Sequence, residues 1–274
     1  MMSCMKQEQV RQRKKRIGII IGFLSIGILS SCQPQTKQVT ACPMETVRPA
    51  EGMYIVSDLA QKRITYDELQ EQMLQEILRQ YDSYADANPD YVGWLYLADT
   101  KVNGPVVQSQ LDGNGYWEYL YKDFYGNDKF AGTLFLDKAC SIDSPTTDNW
   151  MIYGHNMNDG SMFGTLKYYR DELFWREHPT FTFTTRESVE TFEILGVVQS
   201  WVSEEPQGQF EYFFFFDAEN EEEFQDFVRQ VKENSLYDTG VEAEYGDQLI
   251  TLSTCDSWHE EGRLAIIGRR KKGL

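Results

Sequence analysis

Cys255 and Arg263 are the residues of this chain whose types and spacing could do covalent chemistry. Cys255 closes the run Gln248-Leu-Ile-Thr-Leu-Ser-Thr-Cys255, and Arg263 stands near the start of Gly262-Arg-Leu-Ala-Ile-Ile-Gly268. A thiol attacks as its thiolate, and a neighbouring guanidinium favours negative charge on that sulfur or on an oxyanion forming beside it. The guanidinium stays charged at any working pH, so Arg263 can only donate. Such a catalyst also needs a proton-handling partner, most often His. Three histidines are available: His155, His178 and His259. His178 precedes Pro179 in a turn and reads as a capping or surface residue. His259 follows Cys255 in the same loop, and His155 ends a strand-like run, Tyr153-Gly-His-Asn-Met157. Spacing alone does not choose between these two.

The elements that must position these groups can be read from periodicity. The runs around Cys255 and Arg263 are rich in β-formers and flank a polar turn from Asp256 to Glu261, so they predict a β-hairpin with a long loop. Side chains alternate along a strand, which sets Thr251, Ser253 and Cys255 on one face and Ile250 and Leu252 on the other. If Ile250, Leu252, Leu264 and Ile266 enter a core, Cys255 and Arg263 emerge together on the opposite surface. A lone cysteine at a strand end is equally a small core residue, so the catalytic reading depends on the rest of the chain.

Upstream, apolar positions Leu69, Met73, Ile77 and Tyr81 predict an amphipathic helix over Ile64 to Tyr84, with Thr65 as N-cap and Asn88-Pro89-Asp90 as the turn that ends it. Short strands follow at 92–98, 104–108, 132–136 and 150–155. A short helix is expected within Phe163 to Glu177, then strands at 180–185, 191–201 and 211–216. A second amphipathic helix spans Asp217 to Asn234, where an acidic start suits the helix dipole. Many short strands with turn signals argue for a closed or nearly closed β-barrel. The fold class is mainly β, with N-terminal helices and one long helix before the last strand pair. The expected organisation is 1–32 targeting segment, 33–52 linker, 53–92 helical segment and 93–274 barrel. No internal repeat, glycine-rich phosphate loop or acidic metal cluster is found, and no cofactor and no metal are expected.

The 274 residues carry a net charge of −17, unevenly distributed. Residues 1–32 hold six Lys and Arg against Glu8, so they carry +5 and the remainder −22. That body would repel phosphates and is no candidate for nucleic acid. The basic cluster precedes the apolar run Ile17 to Leu29, then Ser30-Ser31-Cys32. This is an export signal whose basic flank stays cytoplasmic. It reads either as an uncleaved anchor or as a lipobox with Cys32 lipidated; both tether the body to the outer face of a membrane. With Cys4 on the cytoplasmic side and no Cys-x-x-Cys, neither a zinc ribbon nor a redox motif is suggested. Cys42 and Cys140 are expected as two unpaired thiols rather than a disulfide.

Thr251-Leu-Ser-Thr-Cys255 with Arg263 downstream and Tyr153-Gly-His-Asn-Met157 upstream resembles the signature of sortases, the cysteine transpeptidases of Gram-positive cell surfaces. The runs Asn88-Pro-Asp-x-Val-Gly-Trp-Leu95, Pro105-Val-Val-Gln108, Gly132-Thr-Leu-Phe-Leu-Asp137 and Gly160-Ser-Met-Phe163 resemble class B in particular. The match covers roughly Tyr66 to the C-terminus. It implies a sortase barrel in which Cys255 attacks the carbonyl after Thr in a sorting signal of a surface protein. An amine of a peptidoglycan precursor or a pilin Lys then resolves the thioacyl-enzyme. It implies His155 as acid and base and Arg263 as the oxyanion donor. Ser253 is expected to wall the substrate groove, and the Asp256 N–H to give a second oxyanion bond. Two features depart from the family: the lipobox-like Cys32, and Leu111 to Leu120, which does not align cleanly with the substrate-groove region. Two other readings compete. A papain-like protease would place its Cys early, on a helix, ahead of its His. A non-catalytic surface β-barrel binding protein gives no reason for Cys255, His155 and Arg263 together.

Overall fold

The computed structural model describes residues 66–203 and 208–272. Helix α1 (Tyr66–Ala87) leads into the barrel. It ends where Asn88, 5% exposed, turns its amide to the Tyr119 hydroxyl and the Phe124 carbonyl while its own oxygen accepts from the Asp90 N–H. The expected turn is therefore present and tied down; the expected cap Thr65 lies outside the described residues. Tyr81 and Tyr84 pack their rings on Tyr91, fastening the helix to the first strand.

Eight strands follow: β1 (Tyr91–Tyr96), β2 (Asn103–Gln108), β3 (Leu134–Leu136), β4 (Asn149–Tyr153), β5 (Thr180–Thr184), β6 (Val189–Trp201), β7 (Leu249–Asp256) and β8 (Gly262–Arg270). They close in the order β1-β2-β3-β4-β7-β8-β6-β5, with β5 pairing back to β1, which is the closed barrel the strand pattern predicts. Two neighbours are parallel, β2 with β3 and β4 with β7; the other pairs run antiparallel. Ile250, Leu252, Leu264 and Ile266 are all within 1% of complete burial. Each such side chain contributes roughly 1.5–3 kcal/mol on leaving water.

Between β4 and β5 lie a 3-10 turn (Leu166–Arg170) and α2 (Glu172–Glu177). The single expected helix is split there because Asp171 takes the N-cap role, its side chain accepting the Leu173 N–H. Helix α3 (Glu221–Asn234) starts at the Asn220 cap, later than Asp217, and turns Phe224, Phe227, Val228 and Val231 inward. The expected strand 211–216 is instead a 3-10 turn (Tyr212–Phe214). An unbroken aromatic run has no period-two alternation, and Tyr212 and Phe213, adjacent in sequence, are both buried. The Phe215 and Phe216 carbonyls bond the side chain and backbone of Asn149, so the segment lies across β4.

Candidate active site

The pairing of β4 with β7 builds the site. Its parallel register ends at Tyr153 opposite Ser253, and two residues further along each chain come His155 and Cys255. Three bonds continue the alignment beyond the ladder. The Gly154 N–H donates to the Ser253 carbonyl, the Thr254 hydroxyl to the Gly154 carbonyl at 2.8 Å, and the Asn156 amide to the Cys255 carbonyl at 2.8 Å. Gly154 has to be glycine, since a Cβ there would fall 2.5 Å from Leu134 and 2.8 Å from Phe163.

His155 packs against Tyr121 and Phe130, the latter ring lying parallel to its own. Its Nε2 stands 2.9 Å from the Leu120 carbonyl. A carbonyl only accepts, so Nε2 carries the proton and Nδ1 is the nitrogen left for exchange. Gly132 lets the backbone come close enough to hold that carbonyl: its φ is +62°, and a Cβ would sit 2.4 Å from the Leu120 oxygen. Burial lowers the His155 pKa, against a smaller opposing effect of the Leu120 bond. The ring is neutral at pH 7.

Cys255 is half-buried and directly opposite Arg263 in the β7–β8 register. The expectation that both emerge on an open surface needs correcting, because Arg263 is only 1% exposed. The segment 210–216 crosses the outer face here: Ser200, the β6 register partner of Arg263, donates its hydroxyl to the Phe210 carbonyl. One guanidinium nitrogen of Arg263 donates to the Gly262 carbonyl at 3.0 Å and the Glu261 carbonyl at 3.2 Å. Ser253 is likewise covered, at 1% exposure, and shares a 2.8 Å hydrogen bond with the Tyr212 hydroxyl. Its contact with a groove is therefore through Tyr212 in this conformation. The Cys255 carbonyl faces Asn156 and β4, which turns the Asp256 N–H to the other edge of the strand, toward its register partner Gly262. An oxyanion would have to compete with strand pairing for that N–H.

The other two histidines are elsewhere. His259 is exposed and packs on Trp201 of β6, across β8 from Cys255. His178 caps α2, with Nδ1 on the Phe174 carbonyl and Nε2 on Asp99. A cleft of about 480 Å³ lined by Pro105, Phe124, Leu134 and Met162 includes neither Cys255 nor Arg263. Cys140 is buried with its thiol 3.3 Å from the Asn149 carbonyl; Cys42 lies outside the described residues.

No family model matches the chain. Its sequence is 35% identical to sortase B of Listeria monocytogenes over 186 residues, covering 66% of this chain and 70% of that protein. The chain belongs to the class B sortases. Sortase B of Staphylococcus aureus is 28% identical over 214 residues, with 76% of this chain and 83% of that protein covered. A solved structure of sortase B complexed with triglycine superposes with a TM-score of 0.63 at 25% identity, covering 76% of this chain and 95% of that one. As a class B sortase the protein is a cysteine transpeptidase.

Several polar residues around the sortase's thiol were given no role by the sequence, Asn156 among them although it lies in the Tyr153-Gly-His-Asn-Met157 run. Asn156 holds the Cys255 carbonyl. Arg170 pairs with the Asp256 carboxylate, and Gln199 donates to the same carboxylate at 3.0 Å. The Leu120 carbonyl sits at the end of the very segment that fails to align with the family pattern. Only its closeness to His155 reveals it, since a backbone oxygen leaves no mark in the sequence.

Proposed function

We propose that this sortase cleaves a sorting signal of the Leu-Pro-x-Thr-Gly or Asn-Pro-x-Thr-x kind after its Thr and transfers the acyl group to an amine of a peptidoglycan precursor or a pilin Lys. The observation that supports this most is the β4–β7 register, which sets His155 level with Cys255 while Leu120 keeps the His155 Nε2 protonated.

In this reading Nδ1 of His155 takes the thiol proton as Sγ bonds to the scissile carbonyl carbon. The electron pair moves to the carbonyl oxygen, where Arg263 donates to the oxyanion. Collapse breaks the C–N bond, and His155 returns its proton to the departing amine, leaving a thioacyl group on Cys255. The acceptor amine then attacks, His155 takes a proton from it, and the C–S bond breaks to restore the enzyme. The Asp256 N–H joins Arg263 only where the hairpin end opens, and Ser253 meets substrate where Tyr212 yields. That a sortase B holds triglycine is consistent with an amine acceptor for this chain as well. The run 17–29, or a lipid on Cys32, would keep the body on the outer face of a Gram-positive membrane. No described helix is long and apolar enough to cross one, and that run lies outside the described residues.

The test incubates the detergent-solubilised full chain with a panel of sorting-signal peptides and hydroxylamine, following products by mass spectrometry. A hydroxamate on Thr is expected, absent in Cys255→Ala, reduced in His155→Ala and Arg263→Ala, and retained in His259→Ala. Retention in His155→Ala with loss in His259→Ala would reverse the assignment of the base. The mass of the membrane-extracted protein separates an intact N-terminus from a lipidated Cys32.

A further inference from the structure

Directly beneath the thiol, on the inner face of β7, lies a charge that the reaction as derived does not use. Gln199 pairs with Leu264 and Leu264 with Thr254, so Gln199, Leu264 and Thr254 share the face that carries Leu252 and Ile266 into the barrel. Asp256, two residues past Thr254, is on that face as well. Its side chain is 0% exposed. A carboxylate sealed from water is tolerated only when it is paired and hydrogen-bonded. Arg170 meets one carboxylate oxygen and Gln199 the other.

The partners come from rigid ground. Arg170 ends the 3-10 turn whose Leu166 and Tyr169 are wholly buried, and the Tyr169 carbonyl accepts the Tyr237 hydroxyl at 2.6 Å. This turn lies on the chain that leaves His155, where the Phe163 N–H returns to the His155 carbonyl. The peptide joining Cys255 to Asp256 is thus held from two directions. Asn156 holds its carbonyl from the β4 side, and the Arg170–Asp256–Gln199 cluster holds the next side chain inside the barrel mouth.

We infer that Arg170 and Gln199 are positioning residues for acyl transfer: by anchoring Asp256 they keep the end of β7 extended, with Cys255 across from Arg263 and level with His155. The inference rests on the acyl-transfer reading above. Losing the anchor lets the strand end fray at the nucleophile, separating the thiol from the guanidinium and imidazole while leaving it accessible.

Two reactions of Cys255 separate alignment from access. Acylation by p-nitrophenyl acetate passes through an oxyanion and needs no sorting signal; alkylation by iodoacetamide needs only a reachable thiol. Rates at Cys255, read by mass spectrometry on the full chain, are compared for wild type, Arg170→Met, Arg170→Lys and Gln199→Leu. Acylation is expected to fall about 10–100-fold in Arg170→Met, less in Gln199→Leu, and to recover partly in Arg170→Lys, with alkylation no slower than in wild type. In an Arg263→Lys background, Arg170→Met should cost much less, because both changes undo one alignment. Equal acylation in folded wild type and Arg170→Met overturns the inference. So do a parallel loss of alkylation, full additivity with Arg263→Lys, and a wild-type Cys255 that the ester does not acylate. Ester acylation without cleavage of any sorting peptide would instead overturn the substrate reading alone and leave the positioning role standing.

Discussion

His155 at the barrel mouth and His178 at the end of α2 each offer a ring nitrogen to a backbone carbonyl 2.9 Å away, and their proton affinities move in opposite directions. The difference is the second nitrogen. In His178 it meets the Asp99 carboxylate at 2.9 Å, so both nitrogens face acceptors and only the imidazolium satisfies both. That carboxylate raises the His178 pKa. In His155 the aromatic rings of Tyr121 and Phe130 bring burial without a carboxylate, and burial lowers the pKa. One ring is built to hold a proton, the other to give it back. A base for a thiol needs the second arrangement.

The largest test of this comparison is substitution of each ring in turn. Gln keeps an N–H for the Leu120 carbonyl but cannot shuttle protons. His155→Gln is therefore expected to lower hydroxamate formation by about 10²–10⁴-fold with the fold retained by circular dichroism. His178→Gln should stay within about twofold of wild type, since His178 caps a helix outside the site. Equal losses in the two variants would dissolve the distinction.

A smaller effect should follow from removing the cover over His155. Phe130 is 54% exposed, and its ring lies parallel to the imidazole, so Phe130→Ala opens that ring to water at little cost to the core. The sign follows from the lowered pKa. In wild type the neutral imidazole persists below pH 6.5, so with His155 as the proposed base kcat/KM is expected to hold as pH falls toward the depressed value. Hydration moves the pKa back up, so the variant should lose roughly twofold near pH 6 and nothing at pH 8. An acid limb unmoved by the substitution would show that burial from other directions keeps the imidazole neutral.

Spacing left His155 and His259 open, and only the resemblance carried by Tyr153-Gly-His-Asn-Met157 points to His155, whereas the alternation in β7 and β8 places Ile250, Leu252, Leu264 and Ile266 on one face, and all four are buried. Alternation assigns a face but not what covers it, which is why the burial of Arg263 and Ser253 beneath the 210–216 segment was not readable. The polar residues that hold the nucleophile reach it from far along the chain, Asn156 from 99 positions away, Arg170 to Asp256 across 86, and Gln199 across 57. Each is an ordinary polar residue in its own segment, and only barrel closure gives it a partner. The resemblance to sortases names Cys255, His155 and Arg263 as the groups expected to react, but it gives no role to Arg170 or Gln199.

The smallest test concerns the other side of the comparison. Asp99 sits in the β1–β2 turn, 82% exposed, so its pairing with His178 is screened by water and is worth about 0.2–1 kcal/mol. Because the folded-state pKa of His178 is raised, that stabilisation is fully present below the unfolded value near 6.5 and is lost as pH rises through the folded value. Asp99→Asn should therefore lower Tm slightly at pH 5.5, where His178 is imidazolium, and leave it unchanged at pH 9. The gap between the two melting curves should close with rising pH, opposite to the effect of burial on His155, which makes the folded state less stable as pH falls below 6.5. A Tm difference that is the same at both pH values would mean that Asp99 does not act through the proton on His178; the turn itself, at a φ of +53°, accepts Asn as readily as Asp.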